Sequence, residues 1–191
     1  MHQYRGRLIV HTGSMFSGKT SSLENDLKRF EIANYRVLCF KPSVDTRHDK
    51  EEICTHEGRT YTACSISHVS ELKKVPADVD VVGIDEVQFL GGTIEEIRQA
   101  IEELLDRGVT VVVAGLDMDF SAKPFEITKE LMPMADYLTK HHAVCTRCGA
   151  DAWVSHRKSD STDRVVIGAS EEYEPVCRTC YHKILEEEKK S

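Results

Sequence analysis

The chain has 191 residues, which suits one domain of ordinary size with room for a small second unit. Hydrophobic residues make up 40% of it and charged residues 30%, a balance typical of globular proteins that excludes a disordered chain. The net charge of −7 argues against a protein that coats nucleic acid, because phosphate backbones are held by clustered lysine and arginine.

The expected location follows from three negative signals. The sequence has no apolar run near the roughly 20 residues that span a bilayer. Its start, MHQYRGRLIV, enters a strand pattern almost at once and leaves no room for a signal peptide. The seven cysteines, an odd number, indicate thiols and metal ligands rather than a disulfide framework. We therefore expect a cytoplasmic protein with no nucleic-acid partner and no membrane partner.

Apolar, β-branched runs alternate with helical patterns along most of the chain. This alternation predicts an α/β fold with a mostly parallel sheet flanked by helices. Residues 43–65 are polar and predict a loop or hairpin region. The predicted strands are residues 7–12, 36–42, 79–87 and 109–117. The predicted helices are residues 21–35, with Leu23, Leu27, Phe30 and Ile32 mostly on one face, and residues 93–107, closed by Gly108, with Ile94, Ile97, Ile101, Leu104 and Leu105 on one face.

The composition changes near residue 140. Two CxxC pairs and few long apolar runs follow, around a polar, hairpin-like middle, and the chain ends in a charged helical pattern. We predict an α/β domain over residues 1–140 and a small metal-stabilised domain over residues 141–191.

The stretch GSMFSGKT directly follows the first predicted strand and precedes the first predicted helix. Its spacing is that of a phosphate-binding loop, whose glycines let successive N–H groups turn toward phosphate oxygens. Lys19 is expected to reach the β- and γ-phosphates of ATP, and Thr20 to offer its hydroxyl to Mg²⁺. The fold is therefore expected to be that of a P-loop NTPase. The predicted loop residues are Gly13, Ser14, Met15, Phe16, Ser17, Gly18, Lys19 and Thr20.

Two adjacent carboxylates follow the strand pattern VVGI. Asp85 is expected to act on the metal ion, directly or through water. Glu86 is then free to act as a general base toward whatever attacks the γ-phosphorus. Gln88 either orients a phosphate or the base, or is an ordinary polar side chain beside the loop. Water and a hydroxyl group both remain possible nucleophiles, so these residues fit an ATPase and a small-molecule kinase equally.

The four cysteines of the CxxC pairs, Cys145, Cys148, Cys177 and Cys180, predict a closed tetrahedral Zn²⁺ site. Four protein ligands leave no open position, so this zinc is expected to be structural. The segment between the pairs, residues 149–176, is longer than the roughly 15–20 residues of compact zinc ribbons. Cys39 is expected in the core; Cys54 and Cys64 have no predicted role.

Taken in order, the motifs GSMFSGKT, FKPSVDTRH, THEG, GIDEVQF, AGLDMDFSAKPF, CxxC and VIGASEEYEPVCRTC resemble those of thymidine kinases that pair a P-loop domain with a zinc-held lasso. They extend from residue 8 to about residue 182, nearly the whole chain. The resemblance implies transfer of the γ-phosphoryl group of ATP to the 5′-hydroxyl of thymidine. It also implies deoxyuridine as a second acceptor. Glu86 would be the general base, and the product would enter pyrimidine salvage for DNA synthesis.

The resemblance also implies further site residues and partners. It implies that the protein forms a homotetramer and is inhibited by thymidine triphosphate (dTTP) through feedback. Phe120 and Phe125 would flank the pyrimidine, although composition alone favours ordinary core or loop packing for both. The residues it adds to the phosphate site are Asp45, Thr46 and Arg47. The residues it assigns to the nucleoside are Met15, Phe120, Phe125, Arg164, Val165, Val166, Ile167, Gly168 and Tyr173.

Two other functions fit part of the pattern. A zinc-ribbon NTPase acting on nucleic acid agrees with the loop and the cysteines, but not with the acidic charge or the small size. A nucleotide sensor without catalysis would leave the pair of Asp85 and Glu86 without a purpose.

Overall fold

The computed structural model describes residues 6–43, 51–54, 60–158 and 172–190, and at 51–54 and 60–62 it describes the backbone alone. The strands in these residues are β1 (Leu8–Gly13), β2 (Val37–Pro42), β3 (Glu51–Cys54), β4 (Thr60–Ile66), β5 (Val81–Ile84), β6 (Thr110–Leu116), β7 (Tyr137–His141), β8 (Val154–Arg157) and β9 (Tyr173–Val176). The α-helices are α1 (Lys19–Ile32), α2 (Ile94–Asp106), α3 (Glu126–Met134) and α4 (Arg178–Glu188), and short 3₁₀ helices span Val69–Lys74 and Val87–Phe89.

The main sheet has seven strands in the order β3-β4-β2-β5-β6-β1-β7. Neighbouring strands are parallel except β3 and β4, which form an antiparallel edge. The predicted α/β fold with a mostly parallel sheet is confirmed, and the region predicted as a loop or hairpin contains the β3–β4 pair. Because parallel strands end at one edge of a sheet, the segments after β1, β5 and β6 lie side by side.

Helices cover both faces of this sheet. On one face, Leu23 and Leu27 of α1 pack in a cluster with Val112 of β6. On the other face, Val111 and Val113 belong to a larger core to which α2 and α3 contribute. Successive strand residues point to opposite faces, so a strand covered on both faces is apolar at every position. This packing explains the continuous β-branched runs in the sequence.

Helix α1 ends earlier than the sequence pattern predicts. Asn34 adopts a left-handed backbone with φ 63°, and its N–H donates to the carbonyl of Glu31 at 2.9 Å. The N–H of Tyr35 donates to the carbonyl of Phe30 at 3.0 Å, and the two rings are in edge contact. These contacts form a Schellman motif, which stops the helix. Ile32, the last residue of the helix, is 73% exposed and does not share the buried face of Leu23 and Leu27.

Helix α2 begins at a capping box. The Thr93 hydroxyl accepts from the N–H of Glu96 at 3.2 Å, and the Glu96 carboxylate accepts from the N–H of Thr93 at 2.8 Å. Ile97 and Ile101 are buried, but Ile94, which is predicted to share their face, is 38% exposed. Ile94 is the first helical residue, and the helix meets the core only from Ile97 onward.

Three further elements differ from the sequence-based expectation in length or existence. The strand predicted over residues 79–87 ends at Ile84, because Glu86 has a left-handed backbone and a 3₁₀ helix follows it. Helix α3 is short and carries Pro133 in its last turn, and β7 is an edge strand with mostly exposed side chains. Neither α3 nor β7 is predicted from the sequence, because neither has a long apolar period.

The cysteine-rich part forms a second, smaller layer. Strands β8 and β9 pair antiparallel, and helix α4 packs on them through Tyr181 and Ile184, which are buried together with Val154 and Val176. Within the residues that the structure describes, no helix is both long enough and apolar enough to cross a membrane.

The two faces of α2 yield a stability prediction. Replacing Ile101, which is fully buried, with alanine should lower the free energy of unfolding by about 2–5 kcal/mol, through lost burial and a cavity. The matched change Ile94→Ala removes the same atoms from a partly exposed site and should cost about 1 kcal/mol or less. Equilibrium denaturation of both variants measures the difference. Equal losses would contradict the packing described for α2.

Candidate active site and metal centre

The loop between β1 and α1 has the backbone that a phosphate-binding loop requires. Gly13 has φ 139°, and a Cβ there would lie 2.2 Å from the carbonyl oxygen of His141 on β7. Gly18, directly before α1, has φ 83°. Both positions therefore favour glycine, the first for space as well as for its backbone angle. The loop opens at the N-terminus of α1, where backbone N–H groups are available to an anion.

Lys19 lies inside this loop. Its ammonium group donates to the carbonyl of Ser14 at 2.6 Å, and the Ser17 hydroxyl donates to the same carbonyl at 2.7 Å. Burial lowers the pKa of Lys19 to about 8, against nearby carboxylates that raise it, Asp85 foremost. Because burial disfavours the charged form of Lys19, negatively charged phosphate oxygens would stabilise its ammonium group.

Asp85 and Thr20 form a pair at the edge of the sheet. The Thr20 hydroxyl lies 3.1 Å and 3.3 Å from the two carboxylate oxygens of Asp85, which follows β5 directly. Asp85 is 3% exposed, and this burial raises its pKa, with opposing contributions from Lys41 and from the Thr20 hydrogen bond. A hydroxyl and a buried carboxylate are hard oxygen ligands of the kind that Mg²⁺ takes beside a triphosphate. The chemistry of this pair therefore fits the predicted metal role.

Glu86 has an unusual backbone. Its φ is 48° and its ψ is 44°, in the left-handed region that non-glycine residues occupy rarely. Such a conformation costs about 1–3 kcal/mol and is found preferentially at functional sites. The side chain is half-buried, and its negative charge acts on Lys19. The structure thus brings Glu86 together with the phosphate loop and Asp85.

Gln88 has a structural contact. Its side-chain oxygen accepts a hydrogen bond from the N–H of Leu116 at 3.0 Å. This contact links the 3₁₀ helix Val87–Phe89 to the carboxyl end of β6. Of the two alternatives for Gln88, the contact favours the ordinary polar residue beside the loop.

The aromatic residues predicted to hold the acceptor lie on two different segments. Phe125 is 7% exposed and makes an edge contact with Phe89, with 6.2 Å between ring centroids. Phe120 is half-buried, with the guanidinium group of Arg157 3.9 Å from its ring centroid. Tyr173 begins β9 and accepts a hydrogen bond from the same guanidinium group at 2.8 Å. Arg157 therefore joins Phe120 to Tyr173.

A hydrogen bond joins the phosphate loop to the cysteine-rich part. The N–H of Met15 donates to the hydroxyl of Ser155 at 2.8 Å, and Ser155 is buried on β8. Ser155 and Arg157 were both missed from the sequence, where the stretch around them reads as polar. The sequence did offer one signal: Ser155 and Arg157 are two residues apart, and side chains two apart on a strand share one face.

The four cysteines converge as predicted. Their sulfur atoms all lie within 4.8 Å of one another, and those of Cys148 and Cys177 are 3.6 Å apart. A tetrahedral zinc site with Zn–S distances of about 2.3 Å requires sulfur atoms about 3.8 Å apart. Gly149 has φ 77°, which suits the sharp turn after the first pair. The cluster therefore fits a closed structural zinc site.

The thiols of this cluster differ in how readily they ionise. Backbone N–H groups, led by that of Cys177, lower the pKa of Cys145 to about 6, against burial, which raises it. Hydrogen bonding with Cys177 and Cys148 raises the pKa of Cys180 to about 12. Four adjacent thiolates would repel one another, and a bound divalent cation would offset their charge.

The remaining predicted residues lie outside those that the structure describes. On the phosphate side these are Asp45, Thr46 and Arg47. On the nucleoside side they are Arg164, Val165, Val166, Ile167 and Gly168. Cys54, which has no predicted role, lies on β3, and Cys64 is exposed on β4.

The cysteine cluster leads to a metal-binding prediction. Purified protein should hold about one zinc ion per chain, and Cys148→Ser should release most of it, since three thiolates bind zinc more weakly than four. Cys64→Ser changes an exposed thiol outside the cluster and should keep the metal. Elemental analysis of all three proteins checks this. Full zinc content in Cys148→Ser would contradict the assignment.

Comparison with known proteins agrees with this geometry. A family model described as thymidine kinase matches residues 6–181. The chain is 42% identical over 178 residues to a thymidine kinase of Bacteroides thetaiotaomicron, covering 93% of this chain and 87% of the relative. It is 42% identical over 179 residues to one of Porphyromonas gingivalis (94% and 86% covered) and 40% identical over 176 residues to one of Rhodothermus sp. (92% and 81% covered). The resemblance drawn from the motifs is confirmed, and the chain belongs to the thymidine kinase family.

Proposed function

We propose that this chain transfers the γ-phosphoryl group of ATP to the 5′-hydroxyl of thymidine, with deoxyuridine as a second acceptor. Membership of the thymidine kinase family and the names of the relatives support the reaction. The observation that carries the mechanism is the grouping of Lys19, the Thr20–Asp85 pair and a further carboxylate, Glu86, at one edge of the sheet.

On the donor side, the backbone of residues 13–20 would hold the phosphates of ATP. Lys19 would donate to the β- and γ-phosphates, and the buried position of its ammonium group supports this role. Thr20 and Asp85 would hold Mg²⁺, which would offset the negative charge that develops on the phosphate oxygens. Asp45, Thr46 and Arg47 complete the proposed phosphate site.

Glu86 would act as the general base. The 5′-oxygen of thymidine forms a bond to the γ-phosphorus while the bond from that phosphorus to the bridging oxygen breaks, and ADP leaves. The carboxylate of Glu86 accepts the proton of the attacking hydroxyl. Two features support this role: Asp85 next to it is engaged with Thr20, and the backbone at Glu86 is held in a strained conformation.

On the acceptor side, aromatic residues and backbone groups would hold the nucleoside. Phe120 and Phe125 would flank the pyrimidine, and Tyr173 and Met15 would complete the pocket. Their contacts with the hairpin β8–β9 and with the 3₁₀ helix after β5 support a common site. The segment with Arg164, Val165, Val166, Ile167 and Gly168 would contribute backbone hydrogen bonds to the base.

Further parts of the proposal follow from the family. The zinc site would pin both ends of the lasso segment (residues 149–176), in a domain over residues 141–191 that follows the ATP-binding domain over residues 1–140. The enzyme would work as a homotetramer in the cytoplasm, serve pyrimidine salvage, and be inhibited by dTTP.

The reaction is tested by a phosphoryl-transfer assay with labelled ATP and each of the four deoxynucleosides. We expect thymidine monophosphate to form with thymidine, while the other three nucleosides are phosphorylated at least tenfold more slowly. Deoxyuridine, tested separately, should also be phosphorylated. Free ATP hydrolysis with no labelled nucleotide from any acceptor would contradict the proposal.

The role of Glu86 is tested by Glu86→Gln, which keeps the shape of the side chain and removes the base. We expect kcat to fall by about a hundredfold or more, the usual scale for a lost general base, while ATP binds as in the wild type. The control Glu126→Gln removes an exposed carboxylate on α3 and should leave kcat within twofold. Near-normal turnover of Glu86→Gln would remove Glu86 from this role.

A further inference from the structure

Arg157 is the last residue of β8 and is only 4% exposed. Its partner across the hairpin is Tyr173, the first residue of β9. The pairing continues for one more step, where the N–H of Lys158 donates to the carbonyl of Glu172 at 2.8 Å. Arg157 thus lies at the end of the hairpin where the connecting segment begins, and in the sequence it precedes the residues proposed to bind the base.

Two contacts of the Arg157 guanidinium group concern the residues assigned to the nucleoside. Its central carbon lies 3.9 Å from the ring centroid of Phe120, in the loop after β6. Its Nη2 donates to the hydroxyl of Tyr173 at 2.8 Å, and the Tyr173 ring centroid is 5.3 Å away. A planar guanidinium can stack on a ring with its face while it donates in its own plane, and lysine cannot. The residue type therefore matches the geometry.

Arg157 is buried although removing a charged group from water costs free energy. Arg178 offers a comparison in the same part of the chain. It is also stacked on an aromatic ring, with 3.8 Å to the Trp153 centroid, but it is exposed on α4. A surface stack of that kind needs no desolvation. Arg157 is desolvated, and the two side chains that it joins are the ones assigned to the acceptor.

We propose that Arg157 is a positioning residue that holds Phe120 and Tyr173 in place for the nucleoside. This inference rests on the proposed function, since it concerns the same acceptor site. Phe120 and Tyr173 come from separate segments of the chain, the loop after β6 and the start of β9. Arg157 fixes them relative to each other before the nucleoside binds, which reduces the entropy lost on binding. Arg157 acts through these two side chains, and not on the phosphates.

The test is Arg157→Lys, which keeps the positive charge but loses the planar stack and the fork of donors. We expect the KM for thymidine to rise about tenfold, while kcat and the KM for ATP stay within twofold. Arg178→Lys is the matched control and should leave all three constants unchanged. Equal changes in both KM values, or an unchanged KM for thymidine, would overturn the inference.

A double-mutant cycle separates positioning from a general loss of structure. Tyr173→Phe removes only the hydroxyl that accepts from Arg157, so it should raise the KM for thymidine severalfold and be tolerated by the fold. In Arg157→Lys/Tyr173→Phe the two effects should not multiply, because both changes break one contact. Multiplied effects would overturn the inference. An unchanged KM in Tyr173→Phe alone would also overturn it, even if Arg157→Lys does not fold.

The state of the fold can be followed directly. Trp153, the only tryptophan in the chain, packs against Tyr181 in the cysteine-rich part, so its emission reports whether that part is intact. Zinc content should match the wild type in every variant, and emission should match it in the variants of Arg157 and Tyr173; Arg178→Lys is judged by zinc content alone, because Arg178 stacks on Trp153 itself. If the wild type phosphorylated no nucleoside, the proposed function would fail and this inference with it. Normal wild-type turnover with unchanged variant KM values would refute Arg157 alone.

Discussion

The site depends on one constraint, the parallel pairing of β6 with β1 on one side and with β5 on the other. The register pairs Gly13 with Leu116 and Ile84 with Val113, so the carboxyl ends of all three strands lie at the same edge of the sheet. This alignment is made by backbone hydrogen bonds between β-branched strands that are buried on both faces. The strand register therefore brings the phosphate loop and the carboxylate of Asp85 to one edge, where the Thr20 hydroxyl donates to that carboxylate.

The grouping at this edge has an energetic cost. A buried carboxylate, a buried ammonium group and a left-handed glutamate lie within one small region, and each is less stable there than in an ordinary position. The large apolar cores on both faces of the sheet offset that cost. In the proposed reaction, ATP and Mg²⁺ would bring the charges that these groups require. The same features that destabilise the free site would then favour substrate binding.

The cysteine-rich part meets this edge through few but specific contacts. Ser155 accepts from the phosphate loop, and Arg157 joins Phe120 to Tyr173. These contacts come from a two-stranded hairpin, which is marginally stable on its own. A metal held by four thiols would fix the ends of that hairpin through bonds that need no large core. This explains how so small a unit can present side chains at fixed positions beside a nucleotide site.

Local patterns in the sequence determined the α/β fold, the phosphate loop and the cysteine cluster, because each depends on residues close together in the chain or on spacing that only one geometry satisfies. Packing decided the rest. Ile94 has the helical period of the buried Ile97 and Ile101, yet it is exposed, since a period does not say where a helix leaves the core. The contact of Gln88 with β6 and the burial of Arg157 depend on segments that meet only in the folded chain. The sequence alone therefore specified which chemistry is present, and the tertiary structure decided which side chains hold it in position, because such contacts join residues far apart in the chain.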